Sequence, residues 1–157
     1  MSFNYGKQFE NLVKSQFCKV DGADITRLYD TTNGFRGVNN VCDFIGYIYP
    51  NIFYIEVKVV QSGNTLSLDR LTQYNKMVEK CGIPGVRVGV VVWWVEKQKV
   101  AYVPISTVTL LKKNGKKSIN IKYIDSEEYK VVEIPSTVKR VFMESDYSVL
   151  KTLQDGE

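Results

Sequence analysis

Apolar residues Phe9, Leu12, Val13, Phe17 and Val20 recur at helical spacing, which predicts an amphipathic helix over residues 7–20, closed by Gly22. Residues 25–29 read as a short strand, followed by a polar, Gly-containing loop over 30–40. Two aromatic and β-branched runs, 41–49 and 52–60, flank Pro50-Asn51 and predict a hairpin turning on those two residues. That register sets Asp43 opposite Lys58 and Ile45 opposite Glu56. Ser67 is a candidate cap for a helix from 68 to about 80, ended by Cys81-Gly82. The run 86–95, apolar but for Arg87, predicts a strand buried on both faces, and 100–103 a returning strand. A short helix or turn over 105–111 follows, then short strands over 119–124 and 130–134 and a terminal helix near 146–153. Helix, strand, hairpin, helix, strand, strand implies an α/β fold with a mixed central sheet flanked by helices. At 157 residues the chain is expected to form one domain, 1–157, with a core of about 6–112 and an extension of about 118–157 of open role.

The hairpin carries the chemistry. Side chains alternate along a strand, so Tyr54, Glu56 and Lys58 share one side, and Asp43 belongs to the same side. Two carboxylates and an ammonium among Phe, Ile, Tyr and Val are costly unless something uses them. Hard oxygen ligands of this kind hold Mg²⁺, or Mn²⁺ in its place, with water and substrate phosphate completing the shell. Asp43 and Glu56 are the candidate ligands, and the Val57 carbonyl is available as a third. Lys58 is placed to orient a water or take its proton. The plain alternative for the triplet is a structural salt bridge, and for Glu10 it is first-turn helix electrostatics.

Composition narrows the chemistry. The chain has no histidine, which removes Ser-His and Cys-His catalysis and His-ligated zinc. Three widely spaced cysteines, Cys18, Cys42 and Cys81, are expected to be small buried residues in a reducing compartment. No stretch has the length of a signal peptide or a membrane span, so a cytoplasmic protein is expected. A net charge of +4 is compatible with a polyanionic partner. Lys112, Lys113, Lys116 and Lys117 around Gly115 are candidate phosphate contacts, or a solvated basic loop.

Gly6-Lys7-Gln8-Phe9-Glu10, Val41-Cys42-Asp43-Phe44-Ile45-Gly46, Phe53-Tyr54-Ile55-Glu56-Val57-Lys58 and Leu66-Ser67-Leu68-Asp69-Arg70-Leu71-Thr72-Gln73 occur in that order, with twelve residues between Asp43 and Glu56. In these motifs the sequence resembles the PD-(D/E)XK nuclease superfamily, and within it the RecU-type Holliday junction resolvases of Gram-positive bacteria and their phages. The resemblance covers roughly residues 6–112. It implies a restriction-endonuclease-like fold and a Mg²⁺-dependent endonuclease that resolves four-way DNA junctions by paired nicks as a homodimer. It makes Asp43, Glu56 and the Val57 carbonyl metal ligands and Lys58 the water-positioning base. Glu10 becomes a supporting acid, and Gln73 either a residue that supports the metal ligands from behind or a phosphate contact. Lys7, Arg27 and Arg36 join the four lysines as candidate DNA contacts, with 27–40 in the place of the family's junction-entering stalk. The chain departs from the pattern at Thr72, where the family usually carries histidine beside the glutamine, and in the stalk region. Two readings stand beside the resolvase: a nuclease acting on ordinary duplex DNA, and an inactive nucleic-acid-binding module of the same fold.

Overall fold

The computed structural model describes residues 3–29, 40–140 and 142–153. Helix α1 spans Tyr5–Phe17, opened by Asn4, whose side chain accepts from the Lys7 N–H. Its stripe of Phe9, Val13 and Phe17 is buried as its spacing predicts, although the helix starts and stops a little earlier than expected. Strands β1 (Asp24–Arg27), β2 (Phe44–Ile48) and β3 (Asn51–Val60) follow. Then come β4 (Thr65–Ser67), α2 (Tyr74–Val78), β5 (Val86–Trp94), β6 (Lys99–Pro104) and α3 (Ile105–Lys113). The chain ends with β7 (Ser118–Asn120), β8 (Val132–Ile134), β9 (Ser136–Val138) and β10 (Met143–Ser145).

Six strands form one mixed sheet in the order β1-β2-β3-β5-β6-β8, parallel only between β3 and β5. On one face α1 packs over Phe53, Ile55, Val57, Val59 and Trp93. On the other, α2 and α3 cover Val88, Val90, Val92 and Trp94. Cover on both faces is why β5 reads as an apolar run broken only by Arg87, which is itself buried.

The hairpin register differs from the expectation. Ile48 pairs with Asn51 and Phe44 with Ile55, so the turn is Tyr49-Pro50 and every pairing slides by two. Proline fits the turn, and Asn51 is buried as the first rung of β3. A slip of two keeps each side chain on its face, so Glu56 and Lys58 still share one side. Asp43, however, lies level with Ile55–Val57 and not opposite Lys58.

The helix expected over 68–80 is two pieces. A single 3₁₀ turn, Leu68–Arg70, is capped by Ser67, and α2 begins only at Tyr74. Leu71 leaves helical geometry (φ −89°, ψ 69°), which lets Leu68, Leu71 and Met77 all be buried. The strand expected over 119–124 is confined to β7, which pairs with β4, and then becomes a 3₁₀ turn, Ile121–Asp125. The terminal helix is likewise 3₁₀, Tyr147–Thr152, capped by the Asp146 side chain. Cys42 is buried, but Cys18 and Cys81 are exposed, one at the end of α1 and one in the turn after α2. Among the described residues no helix is long and apolar enough to cross a membrane.

The segment after 118 packs into both faces of the sheet. Ile119 and Tyr129 join the α2–α3 side, whereas Met143, Tyr147, Leu150 and Leu153 join the α1 side. Gln16 of α1 ties it down: its amide donates to the Met143 carbonyl at 2.9 Å and accepts from the Ser145 N–H at 2.9 Å.

Candidate active site

Ladder pairing between β2 and β3 ends at Phe44, and Asp43 sits just beyond it. Its N–H donates to the Ile55 carbonyl at 3.1 Å, and its Oδ2 accepts from the Val57 N–H at 2.8 Å. The carboxylate is therefore fixed by the backbone of the strand that carries Glu56. Odd residues of β3 present their backbone groups to this edge: Ile55 O accepts from Asp43, and Val59 O accepts from Arg70 Nη1 at 2.9 Å. By the same alternation the Val57 carbonyl lies on that edge, next to Asp43.

Glu56 is 5% exposed. Its Oε1 meets Lys58 Nζ at 3.2 Å, the two side chains sharing a face at i and i+2. Its Oε2 is buried and has no hydrogen-bond partner among the described residues. Burial, helped by the charge on Asp43 and opposed by Lys58, pushes the Glu56 carboxyl up to about 7.

Arg27 closes the cluster from the side. Its Nη2 meets Glu10 Oε1 at 3.4 Å and its Nη1 meets Asp43 Oδ1 at 3.4 Å. Nη1 also donates to the carbonyls of Leu28 at 2.8 Å and Asp43 at 2.9 Å, and the guanidinium lies over the Phe44 ring. The expectation had Arg27 leading a loop toward DNA. The structure turns it inward, because pairing of β1 with β2 sets Arg27 beside Phe44 and hence beside Asp43. Burial holds the Glu10 carboxyl above its ordinary value; Arg27 opposes this and Asp43 adds to it. Glu10 is the sixth residue of α1, past its first turn, so the first-turn expectation does not hold; it stands instead in the electrostatic field of the same cluster.

A small cleft of about 150 Å³ opens here, lined by Arg27, Asn40, Asp43, Glu56, Thr72 and Gln73. The break before α2 is what brings Thr72 and Gln73 to it. Asn40 was not singled out from the sequence; its Nδ2 donates to the Tyr29 carbonyl at 3.0 Å. No short motif announces it, because it reaches the cleft only through the return of a long loop.

The basic candidates lie outside the cleft. Lys112 stacks at 4.4 Å on the ring of Tyr74, the residue after Gln73, and Tyr74 is held by a 2.8 Å bond to Thr109 of α3. Lys113, Lys116 and Lys117 are exposed around the end of α3, and Lys7 is exposed on α1. Arg36 lies outside the described residues. Among the described residues no three Asp, Glu, Cys or His side chains converge as a ready cation cage. Asp43 and Glu56 line this one cleft, and Glu56 Oε2 is buried with no hydrogen-bond partner among the described residues. Carboxylates with a nearby backbone carbonyl are the donor types a small hard cation takes when water supplies the rest of its shell.

No family model matches the chain, and no curated protein does. Its fold is similar to the solved structure of Hjc from Archaeoglobus fulgidus, a Holliday junction resolvase from an archaeal hyperthermophile. The TM-score is 0.54 at 20% identity, over 74% of this chain and 89% of that one. The α/β architecture, a mixed sheet flanked by helices, is thus similar to that of this archaeal protein.

Proposed function

We propose that this protein is a Mg²⁺-dependent endonuclease that resolves four-way DNA junctions by paired nicks, as a homodimer. The observation that carries it is Glu56: a buried carboxylate with one oxygen unpartnered among the described residues, near a backbone-fixed Asp43 and a Lys58 two residues on, in a fold similar to that of a resolvase. The finer likeness to RecU-type enzymes enters through those same motifs.

Asp43, Glu56 and the Val57 carbonyl would hold the cation. When bound, Mg²⁺ supplies neutralisation of phosphate charge and a more acidic water. Lys58, beside Glu56 on the same face, would orient the attacking water, and would take its proton only in the neutral amine form. Arg27 holds Asp43 and Glu10 in place. Gln73 at the cleft wall, with Lys7, Arg36 and the lysines at 112, 113, 116 and 117, contacts phosphates. Mn²⁺ should replace Mg²⁺, since both take the same hard donors.

The test is cleavage of a four-way junction and a linear duplex of equal sequence in Mg²⁺. Paired nicks in the junction, lost in Glu56→Gln, are expected. Lys58→Ala should lose roughly 10²–10⁴-fold in rate while still binding the cation. Wild-type cleavage by Glu56→Gln would sink the assignment, and equal cutting of both substrates would favour a duplex nuclease.

A further inference from the structure

A second cavity, of about 260 Å³, lies between the start of α1, the end of β5 and the β9–β10 hairpin. Its walls include Phe3, Tyr5, Trp93 and Phe142, with Lys139 and Arg140 beside them. Phe3 is 58% exposed, a large apolar ring left to water at the cavity's edge. Phe3 meets Tyr5 edge-on at 4.7 Å, and Tyr5 meets Trp93 at 5.8 Å, so the rings form a continuous aromatic wall. Trp93 is 5% exposed, and its indole N–H has no hydrogen-bond partner among the described residues. The neighbouring Trp94 does find one, the Asn64 carbonyl at 3.1 Å. A buried indole N–H left unmade is costly and marks a place where an acceptor is missing.

We infer that this cavity takes one unstacked nucleobase of a DNA strand, with Lys139 and Arg140 on the flanking phosphates. Aromatic walls stack any base through its π-face. The Trp93 N–H offers a donor to a base acceptor once the ring has entered and the wall has adjusted around it. The volume suits a single flat ring system and falls below the roughly 300–1,000 Å³ of sites that engulf drug-sized ligands. An aromatic side chain from a protein would stack equally well but would bring no phosphate to Lys139 and Arg140. Lys139 pairs with Glu144 at 3.2 Å, and that exposed pair is weak enough for a phosphate to compete with it.

The cavity's position relative to the cleft supports this. Gln8 lines the cavity and Glu10 sits in the active-site cluster. Two residues apart on a helix, they project about 200° apart, to opposite flanks of a cylinder about 10–12 Å across. Lys7 is exposed on the same turn. A strand crossing the start of α1 would therefore put a base in the cavity a few nucleotides from the phosphate at Asp43 and Glu56. The choice of DNA rests on the nuclease reading.

The experiment follows Trp93 emission in the Trp94→Phe variant during titration with a short oligothymidylate in chelator, so that binding is read without cleavage. Anisotropy of a labelled strand on the otherwise wild-type chain gives the same affinity should Trp94→Phe fail to fold. Quenching is expected, Phe3→Ala should weaken the strand roughly tenfold, and Arg140→Gln should make binding less salt-dependent. Absence of quenching overturns the proposal, as does strand binding by Phe3→Ala equal to wild type. Quenching by thymidine monophosphate but not by the strand overturns the strand assignment. Quenching without cleavage of any DNA in Mg²⁺ would refute the nuclease reading and leave the cavity standing. Cleavage without quenching refutes the cavity alone.

Discussion

Glu56 carries its charge at a site that penalises it. In the folded protein without a cation its carboxyl is held near 7, against an ordinary 4.5. Between those pH values the folded carboxyl keeps a proton that the unfolded one has lost. Stability should therefore fall as pH rises from about 4.5 to about 7, by up to about 1.4 kcal/mol per pH unit, and then level off. Two outcomes are expected from thermal melts in chelator. Wild type should melt higher at pH 5 than at pH 8, and Glu56→Gln should melt above wild type at pH 8, because the amide has no charge to desolvate. A cation that binds Asp43 and Glu56 should reverse the second outcome, raising only the wild type. The residue types at this site were legible because strand alternation is a local rule, and it put Glu56 and Lys58 on one face whatever the register. The place of Arg27 was not legible. It depends on pairing between β1 and β2, which lie on either side of a long loop, and nothing local to Arg27 announces that pairing.

Secondary-structure elements show the same division between local and distant causes. The amphipathic α1 and the doubly buried β5 followed from periodicity, since each is set by the faces it covers. The 68–78 segment did not. Its apolar positions permit one continuous helix, but the covering of Val88, Val90 and Trp94 asks for Leu68, Leu71 and Met77 at angles a single helix cannot give. Strands β5 and β6 make a sharper demand. Tyr102 pairs with Val91, and its ring lies across Gly89, where a Cβ would come within 2.5 Å of the ring. Tyr102 is fully buried, so its ring has nowhere to retreat. Gly89→Ala should destabilise the fold by about 1–3 kcal/mol, read from the midpoint of urea unfolding. A midpoint equal to wild type would mean that the ring shifts at no cost.

For the whole molecule the resolvase reading requires two sites facing two strands, which one 18.0 kDa chain cannot present. Light scattering of the purified protein should give twice that mass, with or without junction DNA. A monomer under both conditions would leave the duplex nuclease ahead. In the segment after 118 the sequence placed β7, β8 and the terminal turn but overran β7 and missed β9 and β10, because strands of three residues are too short for period two to declare itself. In the structure it is sewn in by Gln16, and the consequence concerns survival of a cut. Lys139 and Arg140 stand exposed at the β9–β10 turn and invite trypsin. The downstream piece would still be held by Gln16 at Met143 and Ser145, by the Arg87 contact to the Leu153 carbonyl, and by Met143, Tyr147 and Leu150 in the core. Brief trypsin treatment should thus give two fragments on a denaturing gel that elute together as one native particle. A protein interrupted at this turn would keep its α1-side core closed with the backbone no longer continuous.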